Sequence, residues 1–225
     1  ARKRTQMFVV ENGQPIGMGK DSRLPSEFDI TDALRSGVNH LVCVVVCFSD
    51  ASWVEDQDQW WMAGLHREVT LTAVAPVHLH DLVVRAGLHP ESVAALAATP
   101  YEVPGLVAGT LDVRAEVACA PGHTIDEGWR VHTWVETLGG RRITKPLTGE
   151  VPHDTRPYLF PGHVAKVRTT IPGVRPWSAD DPQRYRLVAT LLAPDGTEAD
   201  RVAQVIGFRD VQVGERELRI NGRPV

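Results

Sequence analysis

The sequence predicts an all-β chain organised as two successive β-sandwich units. Three observations carry this. Strand-length apolar or alternating segments recur along the chain, each about four to ten residues long. The stretches between them are rich in Gly, Pro, Asp and Asn. No helical period is sustained beyond one short alanine-rich patch. With 225 residues the chain has length for two ordinary domains, each able to bury a core.

Taken in order, residues 7–11 and 14–17 read as a hairpin around Asn12-Gly13, because that dipeptide takes the positive φ values a tight hairpin turn requires. Gly17 and Gly19 are expected to break the second strand. Residues 28–30 read as a short extended piece, and Thr31 as the N-cap of one helical turn through Leu34 that ends at Gly37. Residues 39–48 are the strongest strand; their unbroken apolar run predicts that both faces are covered. Residues 67–74 alternate Val69, Leu71 and Ala73 against polar neighbours and predict a further strand. The first unit thus reads as a sandwich lacking one side.

A second set of strands begins at residues 77–86, with Val77, Leu79, Asp81 and Val83 on one face and His78, His80, Leu82 and Val84 on the other. Residues 110–119, 129–137, 184–192 and 198–205 continue the set, and Ala193-Pro-Asp-Gly196 has the chemistry of a turn. Residues 90–99 carry alanines that favour helix. Such regular short strands fit an immunoglobulin-like sandwich of about 100 residues without the Cys-Trp-Cys pattern of antibody domains. Residues 144–163 show no period and read as a long loop.

The net charge of -4 and scattered Lys and Arg give no footprint for nucleic acid. The apolar runs are too short to span a bilayer and no leader opens the chain. Cys43, Cys47 and Cys119 are odd in number and lack metal-ligand spacing; Cys43 and Cys47 face the same side of a strand, and the three read as reduced core residues, with a disulfide as the lesser alternative. His78 and His80 share a strand face, but no third ligand stands at a suggestive spacing and they read as a partly exposed pair. Phosphate loops and nucleophile elbows are absent.

Chemistry concentrates in Glu55-Asp-Gln-Asp-Gln-Trp-Trp-Met-Ala-Gly-Leu-His-Arg-Glu-Val69, which sets carboxylates beside large aromatics. A pyranose offers an apolar CH face for indole and a rim of hydroxyls for carboxylates, so the combination suits a carbohydrate. The bland reading is a solvated loop followed by core tryptophans. Upstream lie Gly19-Lys-Asp-Ser-Arg-Leu-Pro-Ser-Glu-Phe-Asp-Ile-Thr31 and Leu34-Arg-Ser-Gly-Val-Asn39. Together these stretches resemble the sugar-binding domain of glycoside hydrolase family 2, and within the family the bacterial β-galactosidases. Pro176-Trp-Ser-Ala-Asp-Asp-Pro-Gln-Arg-Tyr-Arg-Leu187, Gly207-Phe-Arg-Asp-Val211 and Asn221-Gly-Arg-Pro-Val225 continue the resemblance.

What the resemblance implies is specific. Residues 1–75 would be the later part of a galactose-binding-like jelly roll, 76–206 an immunoglobulin-like domain, and 207–225 the approach to a TIM-barrel catalytic domain outside this chain. The chain would be a fragment, with no catalytic residue of its own, because a retaining glycosidase draws both carboxyl groups from the barrel. Asp58 matches the residue that accepts hydroxyl hydrogens from galactose and shares a sodium ion with barrel residues; magnesium is expected only in the catalytic domain. Glu55 and Asp56 flank the site, Trp60 holds its loop, Asp21 and Arg23 form an ordering ion pair or remain solvated, and His66 and Arg67 support the strand after a kink at Gly64. The partners implied are a β-galactoside, the barrel of the same protein and, in the parent enzyme, further copies of itself; neither nucleic acid nor membrane is expected, and a cytoplasmic location is. In tetrameric relatives a loop of the second domain reaches a neighbouring active site, and residues 144–163 occupy a similar place, against the plainer reading of a surface loop. The alternative is a free-standing β-sandwich carbohydrate-binding module, which residues 206–225 argue against.

Overall fold

The computed structural model describes residues 6–20, 24–46, 50, 64–65, 67–99, 102–153 and 162–225. The chain is nearly all-β and divides into two compact units, Ala1–Thr72 and Ala73–Val225.

In the first unit, β1 (Gln6–Glu11) and β2 (Gln14–Gly19) form the expected hairpin, with φ of 51° at Asn12 and 82° at Gly13. Both values lie in the left-handed region that the tightest hairpin turns use, which Asn and Gly tolerate best. The sheet order is β2-β1-β3, where β3 is Leu41–Val46. Pro15 sits on the outer strand β2 beside a register shift at Val9/Val10, where a missing N–H costs no ladder bond.

Four sequence expectations fail in this unit. Gly17 and Gly19 do not end β2 but lie within it. A Cβ on Gly17 would lie 2.6 Å from the Phe28 ring, and one on Gly19 would collide with Ser26, so the glycines make room for the segment crossing them. The single 3₁₀ turn spans Thr31–Ala33, with Ile30 rather than Thr31 at its cap position, and it ends well before Gly37. Strand β3 is not covered on both faces: Leu41, Val42 and Val44 are about half exposed, because β3 is an edge strand and no second sheet lies over it among the described residues. The strand expected at 67–74 is also absent. Val69 and Leu71 are exposed there, alternation without a neighbouring strand having nothing to pair with.

The second unit is a sandwich of two antiparallel sheets. One has the order β4-β5-β8, from Val77–Leu88, Val107–Cys119 and Val164–Val174. The other has the order β10-β9-β6-β7, from Glu198–Ile206, Tyr185–Leu192, Arg130–Thr137 and Leu147–Glu150. This three-plus-four arrangement is the immunoglobulin-like layout. Leu111, Val113, Ala115 and Val117 alternate into the core from β5 and share it with Val131, Val135, Leu187, Ala189 and Leu191 of the opposite sheet. Tyr185, at the start of β9, accepts the Arg175 N–H at 2.8 Å through its hydroxyl and meets Phe208 edge-on, a tyrosine corner that pins the turn before β9.

Strand β4 departs from simple alternation. A bulge between Leu79 and Asp81, where the Leu82 N–H binds the Asp81 carboxylate at 2.8 Å, switches the faces. Val77 and Leu79 point inward before the bulge, and Leu82, Val84 and Ala86 pack against the core after it, leaving Val83 and Arg85 outward. Strand β7 lies within the stretch 144–163 expected to be loop, and β8 was not expected; residues 154–161 of that stretch fall outside the described residues. The alanine-rich patch is helix α1, Pro90–Ala98, with proline in its first turn, where no N–H is needed. The chain ends in a small sheet of β11 (Val211–Val213), β12 (Leu218–Ile220) and β13 (Arg223–Pro224). None of the described helices is long and apolar enough to cross a membrane.

Candidate functional site

Asp58, Glu55, Asp56 and Trp60 lie outside the described residues, as do Asp21, Arg23, His66 and Cys47. Their immediate frame is described. Lys20 Nζ and Asp50 Oδ2 meet at 2.7 Å, so the residues directly ahead of 21–23 and of 51–63 are held together. That pair joins two stretches thirty positions apart that carry the strongest sequence motifs. At the far side, Gly64 has a φ of 80°, the kink expected there, whereas Arg67 is exposed and supports no strand.

The remaining motif residues build the scaffold of this frame. Phe28 and Ser26 lie over Gly17 and Gly19, which explains why two small residues precede the Asp21 to Asp29 motif. The Thr31 N–H binds Asp29 Oδ1 at 2.9 Å, so Asp29 closes an Asx turn at the entry to the 3₁₀ turn. The Thr31 side chain first, and its backbone N–H second, hold the Asp29 carboxyl below the usual carboxylate range. The hairpin turn is bolted to the Leu34–Asn39 motif by two asparagines. Asn12 Nδ2 donates to Ala33 O and to Asn39 Oδ1, both at 2.8 Å, and Asn12 Oδ1 accepts the His40 N–H at 3.0 Å. Asn39 in turn accepts the Arg35 N–H and donates to Arg35 O and Gly37 O, while the Arg35 guanidinium reaches Asn12 O at 3.2 Å.

One carboxylate here was invisible to sequence reasoning. Glu11 is 1% exposed and its Oε1 makes no hydrogen bond. A lone glutamate ahead of an Asn-Gly turn looks like a solvated strand end, and only the fold shows it buried.

The motifs near the end of the chain form a second knot. The Trp177 N–H donates to Phe208 O at 2.8 Å, and a Cβ on Gly207 would lie 3.1 Å from the Trp177 ring, so the glycine admits the indole. Asn221, at a φ of 53°, donates to Trp177 O at 2.9 Å and accepts the Asp210 N–H at 3.0 Å. Arg209 stacks over Trp177 at 4.9 Å. Arg223 donates to the carbonyls of Leu96, Thr99 and Glu102, satisfying the open C-terminal end of α1. The knot is structural: it contains no paired carboxylates and no nucleophile with a base. His78 and His80 face each other edge-on with centroids 6.2 Å apart, and among the described residues no group of three or more His, Cys, Asp or Glu side chains is placed to hold a metal.

With this geometry in hand, comparison with known proteins is informative. Residues 3–75 match the model for the sugar-binding domain of glycosyl hydrolases family 2, and residues 133–209 match the model for glycosyl hydrolases family 2. A β-galactosidase of Alteromonas mediterranea is 31% identical over 217 residues, and one of Photobacterium profundum 32% identical over 216. Each alignment covers 95% of this chain but only 19% of the relative, so the chain spans about a fifth of their length. Among solved structures, an FMN-binding β-glucuronidase from Facaelibacterium prausnitzii superposes with a TM-score of 0.72 at 20% identity, covering 99% of this chain and 31% of that one. A Bifidobacterium dentium β-glucuronidase gives 0.68 at 19% identity, covering 100% and 39%. At such identities these two likenesses speak for the fold.

Proposed function

Because the chain belongs to glycoside hydrolase family 2, we propose that it is the non-catalytic front portion of a β-galactosidase that hydrolyses terminal β-D-galactosides, such as lactose, with retention. The observation that carries this reading is the β-galactosidase likeness along nearly the whole chain. In this reading both reacting carboxyl groups come from a barrel outside these 225 residues.

The chain's own contribution is Asp58. Its carboxylate accepts hydroxyl hydrogens of the bound galactose and fixes the sugar's orientation. A carboxylate oxygen is a donor type that suits a hard cation, so Asp58 would also hold sodium together with barrel oxygens, and the ion would supply a fixed positive charge beside the sugar hydroxyls. Magnesium belongs to the catalytic domain. The role of the described frame is to hold the approach to the stretch bearing Asp58: Lys20–Asp50 clamps it, and the Asn12–Asn39 network stiffens the turn at the other end of the hairpin. The parent enzyme assembles from several copies and acts in the cytoplasm.

The test is hydrolysis of a chromogenic β-galactoside by the 225-residue chain and by the longer parent protein in parallel. Turnover is expected from the parent only. In the parent, Asp58→Ala is expected to raise KM and lower kcat with an unchanged thermal midpoint. Turnover by the short chain, or wild-type kinetics in Asp58→Ala, would overturn the corresponding half of the proposal.

A further inference from the structure

The outer face of the β4-β5-β8 sheet carries an arrangement that the glycosidase reading does not use. Register sets three rows across the strands: Val83, Arg114 and Lys166; Arg85, Asp112 and Arg168; Gly87, Thr110 and Thr170. Four cations therefore surround one carboxylate. Asp112 Oδ2 takes both Arg168 Nε at 2.8 Å and Arg168 Nη2 at 2.7 Å, a two-pronged hold on a single guanidinium. Arg85, Arg114 and Lys166 have no hydrogen bond or ion pair with any described residue. Cross-strand neighbours of like charge repel, so the fold bears a cost for placing them together.

The third row opens a trough beside these charges. Gly87, Thr110 and Thr170 line it together with Arg85, Asp112 and Arg168, and its volume is about 480 Å³. Gly87 is there for room rather than for an unusual backbone angle: a Cβ would lie 2.7 Å from Thr110 Oγ1 and fill the floor. The trough thus offers the uncommitted guanidinium of Arg85, two threonine hydroxyls, and Asp112 Oδ1, which carries no hydrogen bond among the described residues; Arg114 lines a smaller hollow of about 80 Å³ that shares Arg85, Asp112 and Arg168 with it. Acceptors beside cations suit a ligand that bears both a negative group and hydroxyls. They suit nucleic acid poorly, since none of the three rows holds an aromatic ring for a base to stack on and Asp112 would face a phosphate backbone.

We propose that this trough is a binding site for an acidic saccharide, with the sugar's anionic group held by Arg85 and Arg114 and its hydroxyls held by Asp112, Thr110 and Thr170. The inference stands apart from the β-galactosidase reading, since it uses none of that reading's residues. The anion could be a uronate carboxylate or a sugar sulfate, and the experiment separates the two.

Calorimetric titration of the full chain with tri-galacturonate and with a sulfated galactan tetrasaccharide tests it, beside neutral galactotriose, sodium sulfate and hexa-aspartate at equal ionic strength. One or both acidic saccharides are expected to bind, with amide shifts in NMR spectra confined to Gly87, Thr110, Asp112 and Thr170, while galactotriose, sulfate and hexa-aspartate give no saturable signal. Whichever acidic saccharide binds names the anion. Arg85→Ala is expected to weaken binding about fivefold or more, as loss of a charge-assisted contact does. Arg85 is exposed and unpaired, so the thermal midpoint should stay in place. Gly87→Ala, which narrows the floor without altering charge, is expected to weaken it as well. Failure of both acidic saccharides to bind overturns the proposal. So does binding that survives both substitutions, or equal affinity for hexa-aspartate, which would mark the face as a contact for an acidic protein surface.

Discussion

Asp29 shows how one side chain ties local geometry to a measurable pH response. Its carboxylate accepts from Thr31 and is held below its ordinary range. A group whose folded-state affinity for protons is lowered contributes stability above its unfolded pKa, and that contribution disappears as pH falls through the folded value. The window is therefore below about pH 4. Asp29→Asn and Thr31→Ala are both expected to flatten this part of the acid-unfolding curve, read by circular dichroism between neutral and acidic pH; an unchanged acid limb in both would mean that the Asp29–Thr31 contact is not populated. Asn39 acts differently. It is exposed, yet it makes two donor and two acceptor contacts that close the loop around Gly37. Water competes for each of them, so Asn39→Ala should lower stability by about 1 kcal/mol rather than the sum of four bonds. Urea unfolding monitored on the first unit would read this as a shifted midpoint at constant slope.

Between elements, the most informative joint is the one Arg223 makes. Strand β13 delivers its guanidinium to three carbonyls at and beyond the end of α1, while Gly222 lies against Val93 O, where a Cβ would sit at 2.8 Å. Arg223→Ala should remove the guanidinium from these carbonyls, two of which then keep only a long backbone bond, and loosen α1 before the sheets, seen as lost amide exchange protection at residues 93–99 with the β5 and β9 amides unaffected. Arg223→Lys should restore only part of it, since an ammonium lacks the planar fork. Uniform protection in Arg223→Ala would remove the joint from the account. None of this was legible in the sequence, although much else was. The Asn-Gly hairpin, α1 and strands β4, β5, β6, β9 and β10 could be read because each depends on local chemistry: turn residues, alanine propensity, alternation. Gly17 and Gly19 were misread as breakers because a glycine's local signature is the same whether it ends a strand or makes room for Phe28. The β4 faces were misread because a bulge held by Asp81 changes parity without changing composition. Strand β7 escaped because it is short and polar, made a strand only by pairing with β6. As for the candidate site, Asp58 could be named only through resemblance, and the described frame around it, Lys20 with Asp50, pairs residues that no spacing rule connects.

At the scale of the molecule, the two units differ in what they bury. Among the described residues the core of the second runs from Val77 to Phe208 and includes side chains with no exposed surface, such as Val131, Val135, Leu187 and Phe208. Among the described residues of the first unit, Val9 and Ala33 are buried apolar side chains, and Leu41, Val42 and Val44 are about half exposed on an edge strand. Hydrophobic burial is the dominant favourable contribution to folding, so stability should be unevenly divided along the chain. The expected outcome is two transitions on heating or in urea, the first confined to residues 1–72. A polypeptide of residues 73–225 should then fold by itself, with a single cooperative transition that coincides with the second transition of the full chain and carries the same near-ultraviolet signal from Trp134 and Trp177. A single shared transition in the full chain, or loss of fixed tertiary signal in 73–225, would mean that the second unit depends on the first. If the division holds, the sandwich is a self-sufficient support. The marginal half is then the one that matches the family's sugar-binding domain, in line with binding segments being drawn from the less stable parts of a fold.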